Sequence, residues 1–551
     1  MSIKVVEKIG DVKIYGAGSM GGKGEGLVKI NECDILPTHK LRTRVLTTVF
    51  FDQYLRNGFK FTTKELETLS SILDHLGDIP ISVRSSATNE AIVTQDSGGS
   101  VHAGENTSFM LPNNHQDPSR RFNQFKQAIE FIYSDFIKKQ PAGSQEKMAI
   151  VINPIPGIFD NTNAGPIYYP LVSGIANSFF PYALKNQEPG EGFARIALGH
   201  GYATVLDDFP VKSMVTIRNP LPLELLEDNQ SSFYAIDMSK NESLSGDELE
   251  TIKKLHVRFS YRPYSMLLGE QKNLVTLENL IQHDRFGFKS GLCEILDTIS
   301  AKISSHYQIE FVFNLTETSD STLGGRFHVV QLTQLPALKF EAITFPDNFD
   351  HQYLSISNLQ GHGIKSSIKY AVVVSPFIYS KQEHDNVRKK ISAINQEMQK
   401  NNEDYIIIVP GRLGSSNRNW GIQVDYRDVD RAVALFEYGV DVSGRAEPQK
   451  ESNGQTGGIY GSHFLYMIQG GYDEQQKRLQ TRMYGTQGTH FLTNLMSNNV
   501  IYGFISPIED TIDPWFFTPE SKNDALYVLA FPKPVSIYAD SINQQCVVVS
   551  Q

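Results

Sequence analysis

Residues 16–26 place six glycines in eleven positions, Gly16-Ala-Gly18-Ser-Met-Gly21-Gly22-Lys23-Gly24-Glu-Gly26, and nothing else in the chain constrains its fold as tightly. Glycine lets consecutive backbone N–H groups converge with no side chain in the way. The flanks sharpen the reading. Asp11-Val-Lys-Ile-Tyr15 alternates polar and apolar residues, as a strand does, and Leu27-Val-Lys-Ile-Asn-Glu-Cys-Asp-Ile-Leu36 reads as the start of a helix. A strand, a glycine-rich loop and a helix N-terminus are the parts of a phosphate cradle, because the helix turns the positive end of its dipole toward the anion. Lys23 adds a full charge. The loop fits G-x-G-x-x-G, yet no acidic residue about 20 positions on completes a dinucleotide site. On its own residues the segment is either a nucleotide-phosphate site or a flexible β–α turn.

Composition narrows the partners. The 551 residues carry 51 Lys and Arg against 61 Asp and Glu, a net charge of −10. Duplex nucleic acid is held largely by neutralising its phosphates, so it is not expected as a main partner. Cys33, Cys293 and Cys546 are too far apart for a disulfide framework or a zinc spacing. They suit a reducing compartment. The N-terminus lacks the apolar run of a signal peptide, and no stretch nears the ~20 apolar residues of a membrane span. The expectation is a cytoplasmic chain with no membrane partner. At roughly 150 residues per domain it holds three or four domains.

The pattern along the chain predicts an α/β (α+β) fold. RVLTTVFFDQYLRNG and FTTKELETLSSILDHLG have helical spacing, and RRFNQFKQAIEFIYSDFIKK repeats Phe122, Phe125, Ile129, Ile132 and Phe136 every three or four residues. MAIVINPI reads as a strand. IEFVFNL and FHVVQL read as two strands of a hairpin around a polar loop, TETSDSTLGGR. ITFPDNFDHQYL (343–354) reads as a linker. Beyond it, IKYAVVVSPF and DYIIIVP flank a polar helix, KQEHDNVRKKISAINQEMQKN, and strands alternating with helices argue for an α/β domain. SGRAEPQKESNGQTGGIYG (443–461) reads as a loop or a disordered insertion.

Two further segments carry candidate chemistry. Ile81-Ser-Val-Arg84-Ser85-Ser86-Ala-Thr88 reads as a strand that ends on an arginine and runs into a hydroxyl-rich loop. Arginine presents a fork of donors to phosphate oxygens. The alternative is a surface salt bridge beside a turn. In the C-terminal part, Val409-Pro-Gly-Arg412-Leu413-Gly414-Ser415-Ser416 follows a strand and is a second anion-site candidate. His490, approached by Gly488-Thr489, is a candidate general base or phosphoryl acceptor. Its alternative is a buried histidine bonded to a carbonyl. His463 in Gly461-Ser-His463-Phe is a weaker echo.

Taken in order, Gly-Gly-Lys23-Gly-x-Gly-Leu, Val-Arg84-Ser-Ser, His102-Ala-Gly-Glu-Asn-Thr-Ser-Phe-Met-Leu-Pro-Asn113, Tyr168-Tyr-Pro-Leu-Val-Ser-Gly174, Phe193-Ala-Arg-Ile-Ala-Leu-Gly199-His-Gly201, Glu310-Phe-Val-Phe and Val329-Val-Gln331 resemble the ATP-grasp nucleotide-binding domain of the pyruvate phosphate dikinase and phosphoenolpyruvate synthase family. The likeness covers roughly residues 10–340. It implies an ATP-grasp domain in two lobes, 1–150 and 151–340, followed by a C-terminal α/β domain, 341–551, of unassigned role. It implies ATP and Mg²⁺ as cofactors. Gly21, Gly22, Lys23, Arg84 and Ser85 would line the phosphates, and Glu310 with Gln331 would face each other and share metal and nucleotide, since Mg²⁺ takes oxygen ligands and bridges phosphates. The implied activity is phosphoryl transfer by a kinase- or dikinase-like enzyme to a small molecule or a protein, with Lys23 and Arg84 as its working residues; His490 joins them as a catalytic candidate on its own chemistry, not through the resemblance. The alternatives are an ATP-grasp carboxylate–amine ligase and a nucleotide-binding module without chemistry.

The chain departs from the family pattern in three places. Gln-x-Arg-Pro is replaced by Gln331-Leu-Thr333-Gln334-Leu-Pro336, Pro-Gly-Arg-Trp-Gly by Pro410-Gly-Arg-Leu413-Gly, and Glu90 is followed by alanine, with Asp96 further on. The phosphohistidine domain and the terminal barrel are not recognisable, since a barrel needs about 250 residues.

Overall fold

The computed structural model describes residues 5–9, 11–35, 40–88, 106–140, 143–179, 192–205, 212–214, 230, 232–247, 250–256, 266–268, 273–275, 277–317, 323–335, 342–375, 383–414, 421–438, 448–450, 456–459, 491, 494–495, 498–505, 510–517 and 524–550. They are mixed α and β and fall into two compact units, within residues 5–335 and 342–550. No helix among them is long and apolar enough to cross a membrane.

In the first unit β1 (Val5–Ile9), β2 (Val12–Tyr15), β3 (Arg44–Leu46), β4 (Ile81–Ala87), β5 (Ser108–Leu111) and β6 (Met148–Pro154) form a sheet in the order β1-β2-β3-β6-β4-β5. Only β2 and β3 run parallel. Helices cover both faces, so the strands are buried on both sides, although β4 carries Ser82, Arg84 and Ser86 on the α1 face. Helices α2 (Thr48–Arg56), α3 (Thr63–Leu76) and α4 (Pro118–Lys139) bury Phe50, Leu69, Ile72, Phe125, Ile129 and Phe136 with Ile81, Val83 and Ile150. Thr62 and Glu65 form a reciprocal capping box on α3, and Asp117 caps α4 ahead of Pro118. On the other face α1 (Gly21–Glu32) sets Leu27 and Val28 against Val12, Ile14, Val45 and Val151.

The same unit continues with β7 (Ile158–Thr162), β8 (Gly165–Tyr169), β9 (Val172–Asn177), β10 (Phe193–Leu198), α5 (Tyr202–Val205), β11 (Lys212–Met214), β12 (Ser232–Asp237), β13 (Ile252–His256), β14 (Met266–Leu268), β15 (Asn273–Val275), α6 (Glu278–Ile281), α7 (Phe288–Ser300), β16 (Tyr307–Glu317) and β17 (Leu323–Gln334). An antiparallel sheet β11-β10-β9-β16-β17 lies beside a second, β13-β12-β8-β7, and a small β14-β15 pair. One face of the five-stranded sheet is apolar. Ala194, Ile196, Ile309, Phe311, Phe313, Phe327 and Val329 join Phe288, Leu292 and Ile299 of α7 in one core.

The second unit holds a nine-stranded mixed sheet. Its strands are β18 (His351–Ile356), β19 (Asn358–Gln360), β20 (Gly363–Val374), β21 (Tyr405–Pro410), β24 (Ala432–Tyr438), β27 (Ile501–Phe504), β28 (Thr511–Ile512), β29 (Leu526–Asp540) and β30 (Gln545–Ser550), ordered β19-β27-β24-β21-β20-β29-β30-β18-β28. Strands β20, β21, β24 and β27 are mutually parallel. Helix α8 (His384–Asn401) connects β20 to β21. Short pairs β22 (Arg412–Leu413) with β23 (Gly421–Ile422), and β25 (Pro448–Lys450) with β26 (Thr456–Ile459), complete it.

Five local expectations are corrected. The helix after the glycine-rich loop begins at Gly21, so half of that loop is the first turns of α1. Arg84, Ser85 and Ser86 sit inside strand β4, not in a loop, because β6 pairs with every residue from Ile81 to Ala87. Arg44–Leu46 is a strand rather than a helix start, held between β2 and β6. The linker at 343–354 ends inside β18, which pairs with β30, and the polar stretch at 443–461 contains the β25–β26 pair.

Candidate functional site

Arg84 reaches the site from the middle of a buried strand. Ile81, Val83 and Ala87 point into the helix-covered core, so Ser82, Arg84 and Ser86 face the opposite side, where α1 lies. The face is close-packed. A Cβ on Gly21 would stand 2.0 Å from the Ser86 carbonyl oxygen, and the Gly24 N–H donates to Ser86 Oγ at 3.2 Å. A Cβ on Gly26 would stand 2.0 Å from the Leu332 carbonyl oxygen of β17. The glycines of α1 therefore let one helix touch the backbones of β4 and β17 at once. That contact brings the two sheets within side-chain reach of each other. The cradle expected of Gly21 and Gly22 is correspondingly altered: the Gly21 N–H donates to Ser19 Oγ at 3.1 Å, so two of the first N–H groups of α1 are held by hydroxyls of the chain.

On the far side, β16 alternates. Ile309, Phe311 and Phe313 enter the core, and Gln308, Glu310, Val312 and Asn314 occupy the other face. Glu310 pairs in register with Gln331, and Phe311 pairs with Val329, which leaves Val330 as an extra residue in β17. Such a bulge re-aims the groups beside it. Here the Val330 carbonyl lies 3.5 Å from Arg84 Nη1.

Glu310, Val330 and Gln331, 226, 246 and 247 positions from Arg84, thus meet at one guanidinium. Arg84 Nη2 donates to Glu310 Oε2 at 2.7 Å and to Gln331 Oε1 at 2.7 Å. Arg84 is 8% exposed and the Glu310 side chain 18%, so the ion pair is largely shielded from water. Gln331 donates through Nε2 to Thr333 Oγ1, which fixes its carbonyl toward the arginine. Lys23 is buried on the first turn of α1, between the two glycines that touch Ser86. Ser85 does not join the group. Its hydroxyl lies on the opposite face and donates to the Asn106 carbonyl at 3.2 Å. His463, His490, Ser415, Ser416, Glu90, Asp96 and His102 lie outside the described residues.

Sequence reading passed over several residues of this face. Gln308, Asn314, Ser173, Asn177 and Arg195 are all buried on the polar side of the five-stranded sheet, and Gln308 Nε2 donates to Asn177 Oδ1 at 2.9 Å. The alternation Gln-Ile-Glu-Phe-Val-Phe-Asn over 308–314 carried the signal for two of them. His200 follows β10 and is also buried. Burial, then Arg84, push its proton affinity down to about 4 against the opposing pull of Glu310, so its ring is neutral near pH 7. Only its Gly-His-Gly setting marked it in the sequence.

Glu310 and Gln331 offer one carboxylate and one amide carbonyl, hard oxygen donors of the kind Mg²⁺ takes. Among the described residues no group of three His, Cys, Asp or Glu side chains forms a metal cluster. A divalent ion here would draw its remaining ligands from phosphate and water. No protein-family model and no curated protein matches the chain.

Proposed function

We propose that the first unit binds ATP with Mg²⁺ and transfers a phosphoryl group, as a phosphotransferase resembling the dikinase-like ATP-grasp enzymes. One observation carries the reading: Arg84, Glu310 and Gln331, singled out from the sequence, share hydrogen bonds of 2.7 Å in one buried cluster beneath α1. Phosphoryl transfer asks a protein mainly for positioning and charge stabilisation. Arg84 offers a planar fork to phosphate oxygens, and its present partners hold that fork in place before any ligand arrives. Lys23 adds a second positive charge on the same side of β4. Glu310 and Gln331 would hold the metal, which supplies neutralisation of the phosphate charge when bound.

The test is incubation with ATP whose β- and γ-phosphates are distinguishable, with identification of which leaves and where it goes. A dikinase-like enzyme yields AMP. A ligase yields ADP and phosphate only with both acceptors present. Lys23→Ala is expected to abolish turnover while the far-ultraviolet dichroism stays unchanged; normal turnover in that variant removes the assignment. A second reading, a nucleotide-binding module without turnover, is favoured by the engagement of Arg84 with Glu310 and Gln331. It predicts a thermal shift with ATP and no product with any acceptor, small molecule or protein.

A further inference from the structure

The backbone carries His200 to its place by a turn that only glycine fits. Gly199 adopts φ +86°, and a Cβ there would stand 2.6 Å from the Tyr234 carbonyl oxygen. The His200 N–H donates to that same carbonyl at 2.7 Å, and the Ser173 hydroxyl donates to the Gly199 carbonyl at 2.7 Å. Both bonds pin the turn. The ring is then oriented by the Tyr202 N–H, which donates to Nδ1 at 3.3 Å, and by the Tyr202 ring at 4.9 Å. An Nδ1 that accepts a hydrogen bond bears no proton, so in the neutral ring the proton sits on Nε2. This tautomer is assigned from the hydrogen-bond network. Strand register sets this turn on the face that carries Glu310: Ser173, whose hydroxyl holds the Gly199 carbonyl, pairs with Val312, and Ile175 on the same strand pairs with Glu310. Arg84 and Glu310 are the charges that act on this ring.

We propose that His200 is a binding residue of the Arg84–Glu310 site, its neutral Nε2–H donating to an oxygen of the phosphoryl group held there. The proposal rests on the nucleotide reading above. A neutral donor adds a charge-assisted hydrogen bond to an anion without placing a third positive charge beside Arg84 and Lys23. The same tautomer gives the ring a different part from a phosphoryl acceptor. The Nε2 lone pair position carries hydrogen and Nδ1 is taken by Tyr202, so neither nitrogen is poised to attack phosphorus.

The test uses the full chain with ¹⁵N-labelled histidine, the His200 resonances being identified by their loss in His200→Gln. A neutral, Nε2-protonated ring is expected throughout about pH 5.5–8, with the Nε2 resonance shifting when Mg²⁺ and adenylyl imidodiphosphate are added. His200→Phe is expected to weaken that analogue roughly tenfold or more, and His200→Gln, which keeps a donor, by markedly less. A ring that titrates near its ordinary value, an Nδ1-protonated tautomer, or phosphohistidine at residue 200 would overturn the proposal. So would equal losses in the two variants. Inorganic pyrophosphate separates the two readings. A shift of Nε2 with pyrophosphate but not with the nucleotide keeps His200 as an anion donor and removes the nucleotide. No shift with either probe removes His200.

Discussion

At the scale of single residues, the weight of the site rests on one ion pair. Breaking a shielded pair by removing one member strands the other charge, which costs more than the pair itself contributes. Arg84→Met leaves the Glu310 carboxylate without the guanidinium that it meets at 2.7 Å. With partial exposure of Glu310 allowed for, the expected loss is about 2–3 kcal/mol by urea denaturation. Adding Glu310→Gln should recover part of it, and strict additivity of the two substitutions would show that the pair is not coupled. His200 gives a pH signature. In the unfolded chain it titrates near 6.5, whereas in the fold its proton affinity is pushed down to about 4. Between those values the unfolded state binds more protons, so stability falls as pH falls through that window and levels off below it. The contribution is on the order of 3 kcal/mol. Wild type should therefore lose more stability than His200→Gln between about pH 7 and 4. Parallel denaturation curves for the two proteins across that range would refute the burial of a neutral ring.

At the scale of elements, α1 and β17 together make the site. Helix propensity alone says that alanine at Gly26 should stabilise α1 by about 1 kcal/mol. The structure reverses the sign, because the new methyl carbon would sit 2.0 Å from the Leu332 carbonyl oxygen. Gly26→Ala is expected to destabilise by about 3 kcal/mol, as overpacking against rigid backbone does. It should also weaken any ligand of Arg84, since α1 must move away from the strand that carries Gln331. Gly58, where a Cβ meets nothing within 4 Å, is the contrast: alanine there costs only the strain of its φ of +67°, about 1 kcal/mol. If Gly26→Ala proves as mild as Gly58→Ala in thermal denaturation, the close approach of helix and strand is wrong. The bulge at Val330 is the second device of this scale, since without it the strand would not turn a carbonyl toward Arg84.

At the scale of the whole molecule, the first unit has cores on both sides of its six-stranded sheet and one face of its five-stranded sheet, and the second has a core of its own around Val373, Ile406, Ile408, Phe436 and Val548. Each has a buried apolar core of its own, as an independently folding domain requires. Residues 1–336 and 337–551, produced as separate chains, are each expected to unfold in one cooperative transition. A unit that gives no such transition in isolation, by dichroism against denaturant, would contradict this autonomy.

Local pattern was enough for the elements that bury a stripe or a face by themselves. Helix α4 repeats its apolar residues at helical spacing, β16 and β17 alternate around a polar loop, and β20, α8 and β21 follow the strand–helix–strand rhythm. The hairpin itself is a short-range property, but its plain register would set Glu310 opposite Val330, and it is the bulge that moves the partner to Gln331. What sequence could not settle was everything that depends on a neighbour remote along the chain. Arg84 looks like the end of a strand until β6 is present to pair with the residues after it. The six glycines look like a loop because glycine is a poor helix former in isolation. They are helical in part because two strand backbones, more than 60 and more than 300 residues away, leave no room there for a side chain. His200 had no periodic signal at all, and its neutral state arises only where the folded chain buries it near a guanidinium. Periodicity is written in the order of residues, but burial and proximity across sheets exist only once the sheets have come together.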